Sequence, residues 1–348
     1  MNEGLRYLDR LRTCFGPHGI STRSHFRHLW LFIAATSSYL FTVTAQAEGG
    51  FHQPSKRLLI KPFIEAPGQS LEFTNIIDKS AKVRWQPNYR AKTGLSVSYA
   101  GLGGFSISGM SELAKESAEL KGVSRITDYR FRFPWRRFML SLGYQKNQGF
   151  YVDNTASIDQ SLAGQYIKNP DMEMESKSLM AIFVADPDYS LAAFLDHSER
   201  QTRSGGSWLL VAKFSEASFR DSSRSIGLIP SAIRPRFQPE ALLHEGQFRS
   251  IGIGGGYGYK LGFGDIGYAS AMGLLGPSAQ SGKLSDSSQD FTSSSTGALL
   301  NVDLGIGANG EENVFGVHLS AEASIYKTAA TEAATTLTSL SVFYGRRL

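Results

Sequence analysis

The stretch Thr127-Asp-Tyr-Arg-Phe-Arg-Phe-Pro-Trp135 puts Tyr129, Phe131, Phe133 and Trp135 on one parity and Asp128, Arg130 and Arg132 on the other. Successive side chains of a strand face opposite ways, so this segment has one aromatic face and one charged face. The alternation recurs along the chain. Leu95, Val97 and Tyr99 oppose Ser96 and Ser98; Phe138, Leu140, Leu142 and Tyr144 oppose Met139, Ser141, Gly143 and Gln145. Ile251, Ile253, Tyr257 and Tyr259 oppose Gly252, Gly254, Gly258 and Lys260, and Leu300, Val302, Leu304 and Ile306 oppose Asn301, Asp303, Gly305 and Gly307. Phe315, Val317 and Leu319 oppose Gly316, His318, Ser320 and, further on, Glu322. No helical period competes with these. Lipid outside and water inside is the setting that asks for such strands all the way round, and the expected fold is an all-β, antiparallel up-and-down transmembrane barrel of 12–14 strands.

Around that core the composition is permissive. The 348 residues include 36 glycines and 19% charged residues, which suits one β-rich unit. Of 36 basic and 31 acidic residues, five and two precede Glu48, leaving a nearly balanced 31 and 29, so nucleic acid is not an expected partner. The one cysteine, Cys14, also precedes Glu48, which removes disulfides and thiolate metal sites from the rest of the chain. Arg23, Arg27 and His28 lead into the apolar stretch Leu29–Val43, and Ala45-Gln-Ala47 has small residues where signal peptidase reads. Residues 1–47 are therefore expected to be a leader and signal peptide, with 48–348 the barrel domain; a single membrane anchor is the competing reading of the same stretch.

Tight turns are expected near Gly101–Gly103, Pro134–Arg136, Asp186–Asp188, Gly262–Gly264 and Ala308–Glu312, and long polar loops over Met110–Ser124, Asn147–Lys177, Gly276–Thr296 and Lys327–Thr336. Up-and-down order then needs a strand within Phe219–Gly246, for which Arg224–Ile229 is the candidate. Asp286–Ser295 reads as a mobile polar loop, and Met110–Lys121 holds room for one short helix.

Candidate chemistry is sparse. Gly262-Phe-Gly264-Asp-Ile-Gly267 has the spacing of a dinucleotide fingerprint but lacks the following helix, so it reads as a hairpin turn. Asp196-His-Ser198-Glu-Arg-Gln201, taken as the end of a strand from Tyr189, is the best enzyme candidate, yet adjacent His197 and Ser198 would point to opposite faces. Asp128, Arg130, Arg132, Lys260, Asp303, His318 and Glu322 all take the inward parity. They form either an internal ion-pair network that stiffens the barrel or a charged constriction that selects solutes. No catalytic residue, metal or cofactor is expected.

Val83-Arg-Trp85-Gln-Pro87-Asn88, Gly94–Tyr99, Gln148–Tyr151, Ser198-Glu199-Arg200-Gln201 through Ser204, Gly206 and Ser207, Gly227-Leu-Ile-Pro230 and Gly256–Tyr259 together resemble an uncharacterised family of bacterial outer-membrane barrels, domain of unknown function four-four-two-one. The resemblance runs from about Lys56 to Leu348 and implies fold and location, the cell outer membrane, with no reaction or ligand to carry over. It implies that Ser198–Gln201 matter to the family in a role it does not state. The terminal parity of Leu340, Val342, Tyr344 and Leu348 resembles the signal read by barrel-assembly machinery, although Leu stands where Phe is usual. Expected partners are outer-membrane lipid, that machinery during biogenesis and, if the lumen is open, small solutes. The functional reading is a small passive channel or a surface structural protein. The alternatives are an outer-membrane hydrolase or lipid-modifying enzyme centred on Ser198 and a soluble periplasmic β-sandwich binding module.

Overall fold

A computed structural model describes residues 51–110, 115–222, 227–237, 243–285, 290–327 and 331–348. The expected leader lies outside the described residues. The strands are β1 (Phe51–His52), β2 (Leu58–Asn75), β3 (Lys82–Gln86), β4 (Lys92–Tyr99), β5 (Gly103–Met110), β6 (Arg125–Trp135), β7 (Phe138–Val152), β8 (Lys168–Val184), β9 (Arg200–Gln201), β10 (Gly205–Asp221), β11 (Glu245–Phe263), β12 (Gly267–Ser285), β13 (Asp290–Asn309), β14 (Asn313–Lys327) and β15 (Thr331–Arg347).

Each strand from β4 to β8 and from β10 to β15 pairs antiparallel with the next, β8 pairs with β10, and β2 joins β4 to β15. Twelve strands thus close on themselves, and no edge of the ring is left open. The short β3 pairs with the far half of β2 and touches β7 at Trp85–Val152, bridging the gap above the shorter strands β4 to β6. A closed antiparallel ring overturns the sandwich alternative. Among the described residues no helix is long and apolar enough to cross a membrane, which leaves strands as the spanning elements.

The first residues of β2 and the last of β15 lie together at what we call the near end, where Leu59 is opposite Arg347. Four of the five expected tight turns, near Gly101–Gly103, Pro134–Arg136, Gly262–Gly264 and Ala308–Glu312, join strands here; the fifth, Asp186–Asp188, is a turn that opens a long connection and not a hairpin. Helices α1 (Lys115–Lys121) and α2 (Thr155–Ile158), and a 3₁₀ turn over Ser231–Phe237, lie at the far end. Beside the far end of β7 the register slips between Gln148 and Phe150, and Gly149 between them takes φ +83°, which suits a bulged residue without a Cβ.

Several strands run far beyond the segments expected to hold them. β7 and β8 take up about half of Asn147–Lys177, β12 and β13 most of Gly276–Thr296, and β13 begins inside the expected loop Asp286–Ser295, of which 286–289 lie outside the described residues. β11 shows the reason. Its outward positions are Glu245, Gln247 and Arg249 in the far half, then Ile251, Ile253 and Tyr257 in the near half. The inward positions reverse in the same place, from Phe248 to Gly258 and Lys260. β10 repeats the change, with outward Trp208, Leu210 and Phe214 giving way to Glu216 and Arg220, and inward Lys213 giving way to Ala217 and Phe219. The near half of the ring carries an apolar belt outside. The far half is a collar with a polar outside, laced by Lys146–Glu173 (3.1 Å), Lys177–Glu175 (2.7 Å) and Arg249–Glu216 (2.7 Å).

Arg224–Ile229 is not a strand where it is described: residues 224–226 lie outside the described set, and Gly227–Ile229 form a bend that drops into the ring. Leu228, Ile229, Ile233, Phe237 and Leu243 pack there against inward Leu71, Phe73, Trp85, Phe219, Phe248 and Leu284, capping the far end with a dry core. The Trp85 indole N–H donates to the Leu228 carbonyl at 2.8 Å, tying the cap to β3.

Candidate functional site

The near end is closed by the one long connection there, Ala185 to Ser204, which turns into the ring. A strand from Tyr189 is expected; the structure instead has helix α3 (Leu191–Leu195), and the reason is local. Ser190 caps it, its Oγ accepting from the Ala193 N–H at 2.9 Å. The helix Leu-Ala-Ala-Phe-Leu is apolar on all sides and wholly buried, with Tyr189 beside it, against Met139, Ile182, Leu209, Val211, Met272 and Leu274. Burying a Leu or Phe side chain contributes roughly 1.5–3 kcal/mol each, so the insert is strongly held on apolar grounds alone.

So short a helix leaves its last carbonyls without intrahelical partners. Four basic side chains from four strands supply them. Lys260 of β11 donates to Ala193 O (3.1 Å), Arg132 of β6 to Leu195 O (3.1 Å), Lys61 of β2 to Asp196 O (3.1 Å) and Arg347 of β15 to His197 O (2.6 Å). His197 ends the helix in the left-handed region at φ +65°, a position usually given to glycine. Its ring fixes it there. Nδ1 accepts from Lys61 at 3.3 Å, which leaves the proton on Nε2 facing the Tyr268 hydroxyl at 2.7 Å, while Phe343 lies against its face at 4.7 Å between centroids. Burial first, and then the Lys61 and Lys260 charges, hold this imidazole well below the usual histidine range, so it is neutral.

The Ser-Glu-Arg-Gln stretch completes the fastening. Ser198 N–H closes a turn on Asp196 Oδ1 (2.8 Å), Glu199 accepts from the Ser190 hydroxyl (2.6 Å), and Gln201 Oε1 accepts from Ser190 N–H (3.2 Å). Arg200 pairs with Glu311 and donates to Asn309 O (3.0 Å) and Asp265 O (3.2 Å), and Asn309 in turn donates to Glu199 O (2.9 Å). β9, which is Arg200–Gln201, pairs with β1. Ser204 and Ser207 accept from Gly262 N–H (3.1 Å) and Asp186 N–H (2.8 Å), and a Cβ on Gly206 would stand 2.7 Å from the Gly258 backbone carbonyl, which favours glycine there. The two alternating faces expected of a strand here do not exist, because Tyr189–Glu199 is not a strand. Ser198 Oγ makes no hydrogen bond, and the histidine beside it in sequence is committed to Lys61 and Tyr268, so Ser198 is not set up as an activated nucleophile.

The seven inward candidates divide between two levels. Arg132 and Lys260 belong to the near-end clamp. Asp128 and Arg130 sit above it in a four-membered network with Glu65 and Lys92, in which Arg130 reaches Asp128 at 2.7 Å and Glu65 at 3.5 Å while Lys92 contacts both acids. Asp303 faces His318 at 3.3 Å, and Glu322 pairs with Lys213 beside a cavity of about 10 Å³, room for about one water. Lys61, Glu65, Lys92, Lys213, Asn309 and Arg347 were not singled out in the sequence. All six take inward parity, which is the signal that finds them once their strands are placed. Among the described residues no cluster of side chains could hold a metal ion.

A family model described as Domain of unknown function (DUF4421) matches residues 51–347. No curated protein matches the chain. Among solved structures, the outer membrane protease OmpT from Escherichia coli aligns at 7% identity over 86% of this chain and 98% of that one, with a TM-score of 0.39. The Pseudomonas putida toluene transporter TodX aligns at 8% identity over 84% and 90%, with a TM-score of 0.30. Ail, the attachment invasion locus protein of Yersinia pestis, aligns at 15% identity over 59% and 97%, with a TM-score of 0.24.

Proposed function

We propose, for a chain that belongs to the DUF4421 family across residues 51–347, that it is an integral β-barrel of the bacterial outer membrane with a sealed lumen, serving as a surface-exposed structural protein and not as a passive channel. The apolar belt sits in the bilayer, the near end faces the periplasm and the collar with its cap stands outside. Export by a leader ending at Ala47 and assembly by the barrel machinery belong to the same reading.

The observation that carries it is the fastening of the Ala185–Ser204 insert by Lys61, Arg132, Lys260 and Arg347. Side chains that could line a selective constriction are spent on holding a wall-to-wall insert. The apolar cap closes the other end independently. The test is planar-bilayer recording on the refolded chain, with heat-modifiable gel migration as the control for a formed barrel. A heat-modifiable barrel that gives no current is expected; stepwise openings from the unmodified chain would return the passive-channel reading.

A further inference from the structure

The outer wall is not uniform where belt meets collar. Across β6, β7, β8 and β10 the last apolar row is Phe131, Leu142, Leu179 and Phe214, in register, and the row above it is Tyr129, Tyr144, Lys177 and Glu216, continued by Arg249 of β11. Between these rows lies a groove of about 350 Å³ whose lining includes Phe105, Tyr129, Phe131, Leu142, Leu179 and Phe214 together with Lys177. That volume falls in the range of about 300–1,000 Å³ typical of small-molecule sites. Part of the lining is a ladder of stacked rings, Phe105 to Tyr129 at 6.2 Å and Tyr129 to Tyr144 at 6.1 Å.

We propose that this groove holds one anionic phospholipid of the surrounding bilayer, its acyl chain along Leu142 and its phosphate at Lys177 and Arg249. The proposal rests on the membrane reading above and deepens it. The headgroup's partners are Lys177, which lines the groove, and Arg249 two strands along the same row; each is paired with an acid, Glu175 and Glu216, both at 2.7 Å, and a bound phosphate would take the place of those carboxylates. Long basic side chains at a belt edge keep their stems on apolar surface and their charges at headgroup level. Tyrosines occupy the same level, as at other membrane interfaces.

Native mass spectrometry of the full chain, exchanged from detergent into an equal mixture of phosphatidylglycerol and phosphatidylcholine, tests this. One retained phosphatidylglycerol in preference to phosphatidylcholine is expected. Lys177→Gln should lower that preference about fivefold, and Lys177→Gln with Arg249→Gln about 25-fold, from the usual worth of a basic residue at an anionic surface. Phe214→Ala should reduce retention of both lipids, and Lys283→Gln, on β12, should change nothing. Equal retention of the two lipids by a heat-modifiable barrel, or equal loss in Lys283→Gln, overturns the lipid site and leaves the membrane reading standing. A chain that stays soluble and folded without detergent overturns both.

Discussion

At the scale of single residues, the insert concentrates its risk in Arg347. Its guanidinium is buried and serves His197 O, Asn309 Oδ1 and Gly310 O together, so Arg347→Leu leaves three acceptors unpaired in a dry place. A loss of about 3 kcal/mol or more is expected in urea unfolding from vesicles, with Arg347→Lys recovering part of it because one donor returns. Glu199 lies in the insert, outside the spanning strands, and gives a pH prediction. Burial raises its pKa and the Ser190 hydroxyl offsets only part of that. A raised carboxyl pKa means the folded state binds the proton more tightly than the unfolded one, so this group's contribution is present at acid pH and is lost as pH rises through the raised value. Glu199→Gln should flatten that decline and be no less stable than the parent at pH 7, read as urea midpoints from pH 4 to 8; a steeper decline in the variant would contradict the assignment. The Ser-Glu-Arg-Gln run was legible as important and illegible as to role. Its side chains serve backbone groups far away in sequence, such as Asn309 O and Asp265 O, and no local pattern encodes those.

Strands carry the next lesson. Parity alone assigned the outward face of β6, β11 and β13 correctly, because lipid contact leaves a row of large apolar side chains at period two. The same criterion hid the collar. Once a strand leaves the belt its outward residues become Glu, Lys, Arg, Ser and Thr, and Asn147–Lys177 or Gly276–Thr296 then reads as loop although the pairing of β7 with β8, or of β12 with β13, runs well into it. The tell is the inward parity, which turns apolar where the outward one turns polar, as at Phe219 and Phe248. α3 was missed for the opposite reason: five apolar residues in a row have no period, and only the Ser190 cap signals a helix start. The inversion makes a prediction confined to β11. Ile253→Arg and Gln247→Arg share a face and a strand, yet the first should cost about 2–4 kcal/mol of folding into bilayers and the second within about 0.5 kcal/mol of nothing. Similar losses at both positions would remove the boundary between belt and collar.

For the whole molecule, the interior reads as layers along one strand. Inward positions of β12 run from Tyr268 at the clamp through Met272 and Leu274 against the insert, then Ser278 and Gln280, then Leu284 under the cap. Two seals of different chemistry therefore lie in series with a polar layer between them. The lower one combines apolar burial with directed hydrogen bonds, and the upper one is apolar packing joined to β3 through Trp85. A solute must pass both, so removing one opens a blind chamber and no conduit. Replacing residues 187–203 by a short Gly-Ser turn should accordingly leave the barrel without current, while a Ser278→Cys reporter, shielded in the parent, becomes reactive to a charged thiol reagent added from the near-end side only. With Cys14 replaced by Ser in every variant the reporter is the sole thiol. Labelling in the parent would mean the insert does not seal, and current through the insert-deleted barrel would mean the cap does not.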